Sequence, residues 1–437
     1  MNYSFNTSIK IFKWRHWDIR WNRWNLISVS TLMAFCLLTV FVGQYIINYQ
    51  TTKLPAAQFY EMDNSMKTWL DSDVPLQILN ITADISNTLE DQRDDNKNEL
   101  IGYTLHSNFV GSSIENFSKF IPENGGTPIR SIIVTTWRSG STFVGDVLNS
   151  VPANFYHYEP LLDYEIIQIR GPPLAEEVLE RIKNLLNCNY APLDRYLQYG
   201  QEHTWLFTHN TRLWEKCQRK PHICWLHEFL KPFCKLFPFQ SMKVVRLRLK
   251  LFEELLDDKK LNVKILYLVR DPRGTLQSRK HREWCPSNID CYDPVRLCSD
   301  LISDYSASIR FHKKYPDQFR VIRYEDLSLD PYEHVEKLLH FFGFQLHPNI
   351  IKFLDTHTKV NYGGVSSTYR DSKSTPFHWR NDLTFDEVVK MQRACKSAMK
   401  LWGYVRAYNE THQKYFKPIR SKFELTRRNE SGVRILV

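Results

Sequence analysis

Ser131-Ile132-Ile133-Val134-Thr135-Thr136-Trp137-Arg138-Ser139-Gly140-Ser141-Thr142 is the stretch on which the fold turns. Its first six residues form a short β-branched, apolar run, the pattern of a strand buried on both faces. Trp137 to Thr142 come next as a tight turn of glycine and small hydroxyl residues, and Phe143–Leu148 resume apolar residues at helical spacing. A strand that runs through such a turn straight into a helix aims backbone N–H groups and the positive helix end at one point, which suits an anion. Arg138 adds a planar, permanently charged fork. The Gly-x-x-x-x-Gly-Lys-Ser/Thr pattern of nucleoside-triphosphate loops does not occur.

Further apolar runs predict strands at Met242–Leu247, Lys264–Val269 and Phe319–Tyr324, with helices around 174–187, 250–257, 296–314 and 331–342. Strands alternating with helices imply an α/β fold, a P-loop-like parallel sheet flanked by helices, with ligands beyond the carboxyl ends of the strands. Lys264–Val269 runs into Arg270-Asp271-Pro272-Arg273-Gly274-Thr275-Leu276-Gln277-Ser278-Arg279. Arg270 at the strand end and Ser278 on the next helix offer a bidentate cation and a hydroxyl for a second phosphate. Pro272 suits any helix start.

Leu26–Ile47 is an uncharged stretch of 22 residues, which as a helix reaches about 33 Å and spans a bilayer. The whole chain of 437 residues carries a net charge of +10, of which residues 1–25 supply +4 through Lys10, Lys13, Arg15, Arg20 and Arg23 against Asp18. Basic residues on that side place the N-terminus in the cytosol and the rest across the membrane. The expected organisation is a cytosolic tail (1–25), a signal anchor (26–47), a luminal stem (48–128), a catalytic domain (129–408) and a C-terminal tail (409–437). Asn80, Asn116, Asn409 and Asn429 begin glycosylation sequons beyond the anchor. Eight cysteines also lie beyond it, an even number that suggests disulfides in an oxidising lumen. Cys217/Cys224 and Cys285/Cys291 are close enough in sequence to pair, and no paired Cys-x-x-Cys knuckle calls for zinc.

Together the two loops resemble those of the membrane-bound carbohydrate sulfotransferases, and within them the branch that sulfates the 6-hydroxyl of galactose, N-acetylglucosamine or N-acetylgalactosamine. The similarity continues through Tyr156-His157-Tyr158-Glu159-Pro160, Arg323-Tyr324-Glu325-Asp326-Leu327 and Tyr369-Arg370-Asp371-Ser372, and covers about residues 129–406. The resemblance implies a Golgi type II enzyme with the sulfotransferase fold. It implies 3′-phosphoadenosine 5′-phosphosulfate as donor and a glycan or proteoglycan acceptor, with no metal and no nucleic acid; a homodimer stays open. Trp137, Arg138, Ser139, Gly140, Ser141, Thr142 and Phe143 would hold the 5′-phosphosulfate. Arg270, Asp271, Pro272, Arg273 and Ser278 would hold the 3′-phosphate end, with Arg370, Ser372 and Trp379 closing over the donor. Arg138 or Lys243 would balance charge in the transfer, and Glu159, with His157 as the alternative, would take the acceptor proton. Glu325 and Asp326 are expected to be structural. Two rivals share parts of this pattern: a P-loop nucleotide kinase, which lacks its lysine here, and a lectin, which has no need of both loops.

Overall fold

The computed structural model describes residues 74–106, 114–364, 367–421, 423–428 and 434–436. Five parallel strands make the central sheet: β1 (Ile129–Val134), β2 (Asn154–Tyr158), β3 (Phe239–Val244), β4 (Val263–Val269) and β5 (Phe319–Arg323), in the spatial order β2-β3-β1-β4-β5. Alternation along the strands sends Ile132 and Val134 of β1 with Ile265 and Tyr267 of β4 into one core, and Ile129 and Ile133 with Leu266 and Leu268 into the other. Both faces are therefore covered, as the unbroken apolar runs require.

Six helices frame the sheet and the loops at its edge: α1 (Val74–Leu100), α2 (Ser141–Asn149), α3 (Leu174–Leu186), α4 (Pro272–Lys280), α5 (Pro294–Lys314) and α6 (Pro331–Phe342). Their starts obey local chemistry. Pro272, Pro294 and Pro331 each occupy the first turn, and Asp271, Asp293 and Asp330 accept backbone N–H bonds as caps. Gly343, at φ 99°, ends α6.

The four expected strands appear within three residues of their expected starts, and helices cover the four expected ranges. β2 is not among the expected strands. Asn154-Phe155-Tyr156-His157-Tyr158 has no β-branched residue, yet pairing with β3 at the sheet edge makes it one.

Folded chain continues on both sides of the expected stem and tail boundaries. Gln77–Val437 forms one compact unit, and of Met1–Leu76 only Val74–Leu76 are described. α1 lies inside the segment expected as a stem, and it is a full-length helix, not a spacer. Asn96 Nδ2 donates to the Leu236 carbonyl at 3.0 Å, Asp95 pairs with Lys216 at 2.6 Å, and Glu99 accepts from Arg212 Nε at 2.9 Å. Ile81, Ile85 and Leu89 pack on the core as well, but so short an apolar stripe among polar contacts to distant partners is hard to read from hydrophobicity. Beyond residue 408, Phe416 and Ile419 are buried and Ile419 bridges to Tyr404, so folding continues into the expected tail. The expected anchor, Leu26–Ile47, lies outside the described residues. Among the described residues no helix is long and apolar enough to cross a membrane.

All eight cysteines after the anchor segment pair: Cys188–Cys234, Cys217–Cys224, Cys285–Cys291 and Cys298–Cys395. The two short pairs are the ones their spacing suggested. The two long ones join segments that only the fold brings together.

Candidate active site

β1 connects towards β2 on one side and β4 towards β5 on the other, so a crevice opens between their carboxyl ends. Both candidate loops lie in it, and they are stitched to each other. Thr135 Oγ1 donates to the Leu268 carbonyl at 2.6 Å, and Arg270 Nη1 donates to the Arg138 carbonyl at 2.9 Å. Arg138 Nε donates to Ser278 Oγ at 3.0 Å. Arg279, fully buried, donates to Thr136 Oγ1 at 2.7 Å and to the Trp137 carbonyl at 3.2 Å, which fixes the first loop from below.

The turn needs its special residues. Gly140 sits at φ 85°, and a Cβ there would stand 2.3 Å from the Tyr324 ring. Arg138 is held at φ 67°. Burial, with Arg282 and Arg270 nearby, pushes its guanidinium down to about 10, so it stays charged near neutral pH. Arg270 lies over the Tyr324 ring at 4.7 Å. Its Nε is buried without a hydrogen-bond partner among the described residues. An unmet donor beside clustered cations is what a phosphorylated ligand would satisfy.

One cavity of about 830 Å³ joins these loops to the end of β2 and β3. Trp137, Arg138, Gly140, Ser141, Thr142, Phe143, Glu159, Lys243, Arg270, Ser278, Arg370 and Ser372 line it. Arg370 and Ser372 are tied through their backbone N–H groups to His357 and Thr358, and Arg370 Nη2 donates to the Gly364 carbonyl at 2.6 Å.

Other expected site residues lie elsewhere. Ser139 is buried behind the loop, and Asp271, Pro272 and Arg273 do not line the cavity. Asp271 instead caps α4 and pairs with Arg273 at 2.7 Å; Arg273 also donates to Gln392 at 2.9 Å and lies over the Trp379 ring at 4.1 Å. Trp379 is buried in that network and does not line the cavity. The sequence pattern Arg-Asp-Pro-Arg thus combines one cavity residue with three that build the helix start. His157 is buried against Phe155, and burial pushes its imidazole down to about 3, so it has no part in the cavity.

Glu159 comes directly after β2, at φ 42°. Its Oε1 accepts from Lys243 Nζ at 2.8 Å and its Oε2 from Arg246 Nη1 at 2.8 Å. Burial pushes this carboxyl up, but Lys243 and Arg246 together outweigh it and hold the group at about 2. Lys243 is raised: burial opposes its charge and Glu159 favours it more. Lys243 Nζ also lies 3.3 Å from Thr142 Oγ1 and 3.7 Å from the Tyr158 ring centre, so it links the first loop to the carboxylate.

Sequence reasoning missed Arg246, Arg282, Glu165, Tyr199, Trp205 and Trp284, all on the cavity wall. Only Arg246, three residues after Lys243, carried a signal. The others come from segments joined by no motif.

Residues 128–403 match the sulfotransferase domain family. The chain is similar to carbohydrate sulfotransferase 5 of Mus musculus, 27% identical over 338 residues that cover 67% of this chain and 85% of that one. It is also similar to carbohydrate sulfotransferase 1 of Danio rerio, 26% identical over 353 residues that cover 68% and 84%. Among solved structures, the sulfotransferase domain from the Synechococcus PCC 7002 olefin synthase overlaps 62% of this chain and 94% of that chain, at 15% identity and a TM-score of 0.36. The match over most of Gln77–Val437 takes in both stitched loops and the Glu159–Lys243 pair, and this chain belongs to the sulfotransferase domain family.

Proposed function

We propose that this sulfotransferase moves sulfate from 3′-phosphoadenosine 5′-phosphosulfate to the 6-hydroxyl of a galactose, N-acetylglucosamine or N-acetylgalactosamine residue in a glycan or proteoglycan. The observation that carries the proposal is the hydrogen-bonded meeting of Arg138, Arg270 and Ser278 in one cavity with Glu159 and Lys243. The relatives' names supply the sugar acceptor. Arg270 and Ser278 would hold the 3′-phosphate, and Arg138, Gly140, Ser141, Thr142 and Phe143 the 5′-phosphosulfate. The donor supplies an activated sulfuryl group.

Glu159 takes the proton from the attacking sugar hydroxyl. In the resting cavity both its oxygens are occupied, so it is charged but weakly basic. Lys243 lies between Thr142 and Glu159, and turning it towards the sulfuryl oxygens releases one carboxylate oxygen and raises its basicity. Arg138 and Lys243 then balance the negative charge that builds on the transferring and bridging oxygens. We place the catalytic unit in the Golgi lumen, held by Leu26–Ile47 as a type II anchor; four disulfides support an oxidising compartment.

The test is incubation of the protein with radiolabelled donor and a panel of defined oligosaccharides, then linkage analysis. Label on a sugar 6-hydroxyl bears the proposal out. Label on another position, or on no sugar, overturns it.

A further inference from the structure

Beside the Glu159–Lys243 pair, two groups of aromatic residues line the cavity, apart from Phe143 and Tyr324 at the phosphate loops. On one side Trp205, 46% exposed, meets the Tyr158 ring edge-on at 6.3 Å, and Tyr199 lines the same wall. On the other, Trp284, 38% exposed, meets Trp137 edge-on at 6.3 Å. Trp284 directly precedes the loop closed by Cys285–Cys291. Two large rings left open to solvent at the mouth of a cavity forgo burial that a core position would provide. Their ring contacts are with Tyr158 and Trp137, not with Arg270 or Ser278, so the phosphate residues do not explain them.

Glu165 adds a second sign. It lines the cavity and is exposed, and its carboxylate makes no hydrogen bond or ion pair among the described residues. Its backbone stands at φ 60°, ψ −141°, a conformation that costs about 1–3 kcal/mol for a residue with a Cβ. Arg246 holds it there, donating from Nε to the Glu165 carbonyl at 2.5 Å while its Nη1 holds the Glu159 carboxylate. One arginine thus fixes the proposed base and a strained residue with an open carboxylate side by side. Among the described residues six other than glycine stand at positive φ; Arg138, Glu159 and Glu165 are three of them, and all three line this cavity.

The geometry points to Trp205, Trp284 and Glu165 as the acceptor subsite, which grips an uncharged pyranose by ring stacking and by hydroxyl bonds to the carboxylate. The inference rests on the transfer reaction proposed above and adds the residues that read the acceptor. Stacking uses the C–H face of a sugar and is blind to its charge; the Glu165 carboxylate is not. A hexose or N-acetylhexosamine offers it hydroxyl hydrogens, whereas a uronate brings a like charge. The three are positioning residues, since none handles the proton or the sulfuryl group.

Steady-state transfer to a neutral oligosaccharide and calorimetric binding of adenosine 3′,5′-bisphosphate test it together. Trp205→Ala and Trp284→Ala should each raise the acceptor KM about 10-fold, equivalent to ~1.4 kcal/mol, and leave nucleotide affinity within about twofold. Trp205→Phe and Trp284→Phe should restore most of the loss, since either ring can stack on a sugar face, while the unchanged nucleotide affinity separates a lost stacking partner from a general packing defect. Glu165→Gln should raise KM for the neutral acceptor and narrow the preference over a uronate-bearing one. An unchanged acceptor KM in an enzyme that does sulfate sugars overturns the subsite and leaves the reaction standing, as does a fall in nucleotide affinity parallel to the loss. Should the wild type bind nucleotide yet sulfate no sugar, saturation-transfer NMR with the same oligosaccharide decides the subsite alone. Signal lost in Trp205→Ala supports it, and signal retained overturns it.

Discussion

The proposed donor half and the proposed acceptor half of the cavity are built in opposite ways. The donor half is stitched: Arg279, Arg270 and Thr135 cross-link two loops that begin where neighbouring strands β1 and β4 end. The acceptor half gathers Glu165, Trp205 and Trp284 from separate stretches and leaves its rings open. A phosphate can be held by backbone, helix end and arginine at a fixed spacing, so evolution can write it as a local motif. A sugar face needs only a ring somewhere nearby, which many backbones supply.

The largest effect that would sharpen this contrast is expected between the halves, at Glu159. Glu159→Gln keeps the shape and loses the proton acceptor. Its kcat should fall about 10²–10⁴-fold, with adenosine 3′,5′-bisphosphate binding preserved in calorimetry. Near-normal turnover would remove Glu159 from the chemistry and leave it as a partner of Lys243 and Arg246. Next comes Arg270→Ala on the donor side. It removes a charged donor and the bond to the Arg138 carbonyl, and should weaken nucleotide binding about 100-fold. Ser278→Ala should cost about 10-fold by the same titration. If either variant instead raised the sugar KM at constant nucleotide affinity, the division into halves would be wrong.

A smaller effect is expected on the acceptor side. Replacing Cys285 and Cys291 together by Ala frees the loop beside Trp284 and keeps the Cys291 backbone carbonyl that accepts from Arg279 Nη1 at 2.9 Å. The acceptor KM should rise about threefold to tenfold, the scale of a misplaced stacking partner, with nucleotide affinity unchanged.

The same contrast explains how much could be read from the chain. β1 and β4 were legible because strands buried on both faces carry apolar runs, and β3 and β5 because Met242, Val244, Val321 and Ile322 keep apolar residues in a short extended stretch. That the Arg138 turn and Arg270 meet at one cavity was legible because each loop directly follows an apolar strand run. α1 was not, because its apolar stripe is short, Ile81, Ile85 and Leu89, and the rest of its docking runs through Asp95, Asn96 and Glu99, whose partners lie more than a hundred residues away. Arg273 was expected at the ligand and lies in the helix start instead, because a motif does not say which of its arginines faces the cavity. Glu159 was legible as a carboxylate near the site. Its double ion pair with Lys243 and Arg246, and the left-handed backbone beneath it, appear only in three dimensions.

The smallest effect separates two glutamates with opposite electrostatics, Glu325 buried and Glu159 half-buried. Cations hold Glu159 at about 2, whereas burial and the neighbouring Asp271 push Glu325 up to about 7. Glu325 accepts from the Asp271 backbone N–H at 2.9 Å and from the Tyr404 hydroxyl at 3.0 Å, so it braces the start of α4 below Arg270. With its folded value above the unfolded one, Glu325 contributes stability that is complete below pH ~4.5 and is lost as pH rises through about 7. Glu159 does the reverse: its contribution stands above pH ~4.5 and is lost as pH falls towards 2. Glu325→Gln fixes the uncharged form and keeps the shape. It should flatten the fall in Tm between pH 5 and 7.5 and raise Tm at pH 7.5 by about 2–4 °C, read by thermal unfolding across a buffer series at constant ionic strength. A wild-type Tm that climbs through that interval just as in the variant would mean that Glu325 is ionised throughout, stabilised by the Asp271 N–H and Tyr404 more than burial opposes it.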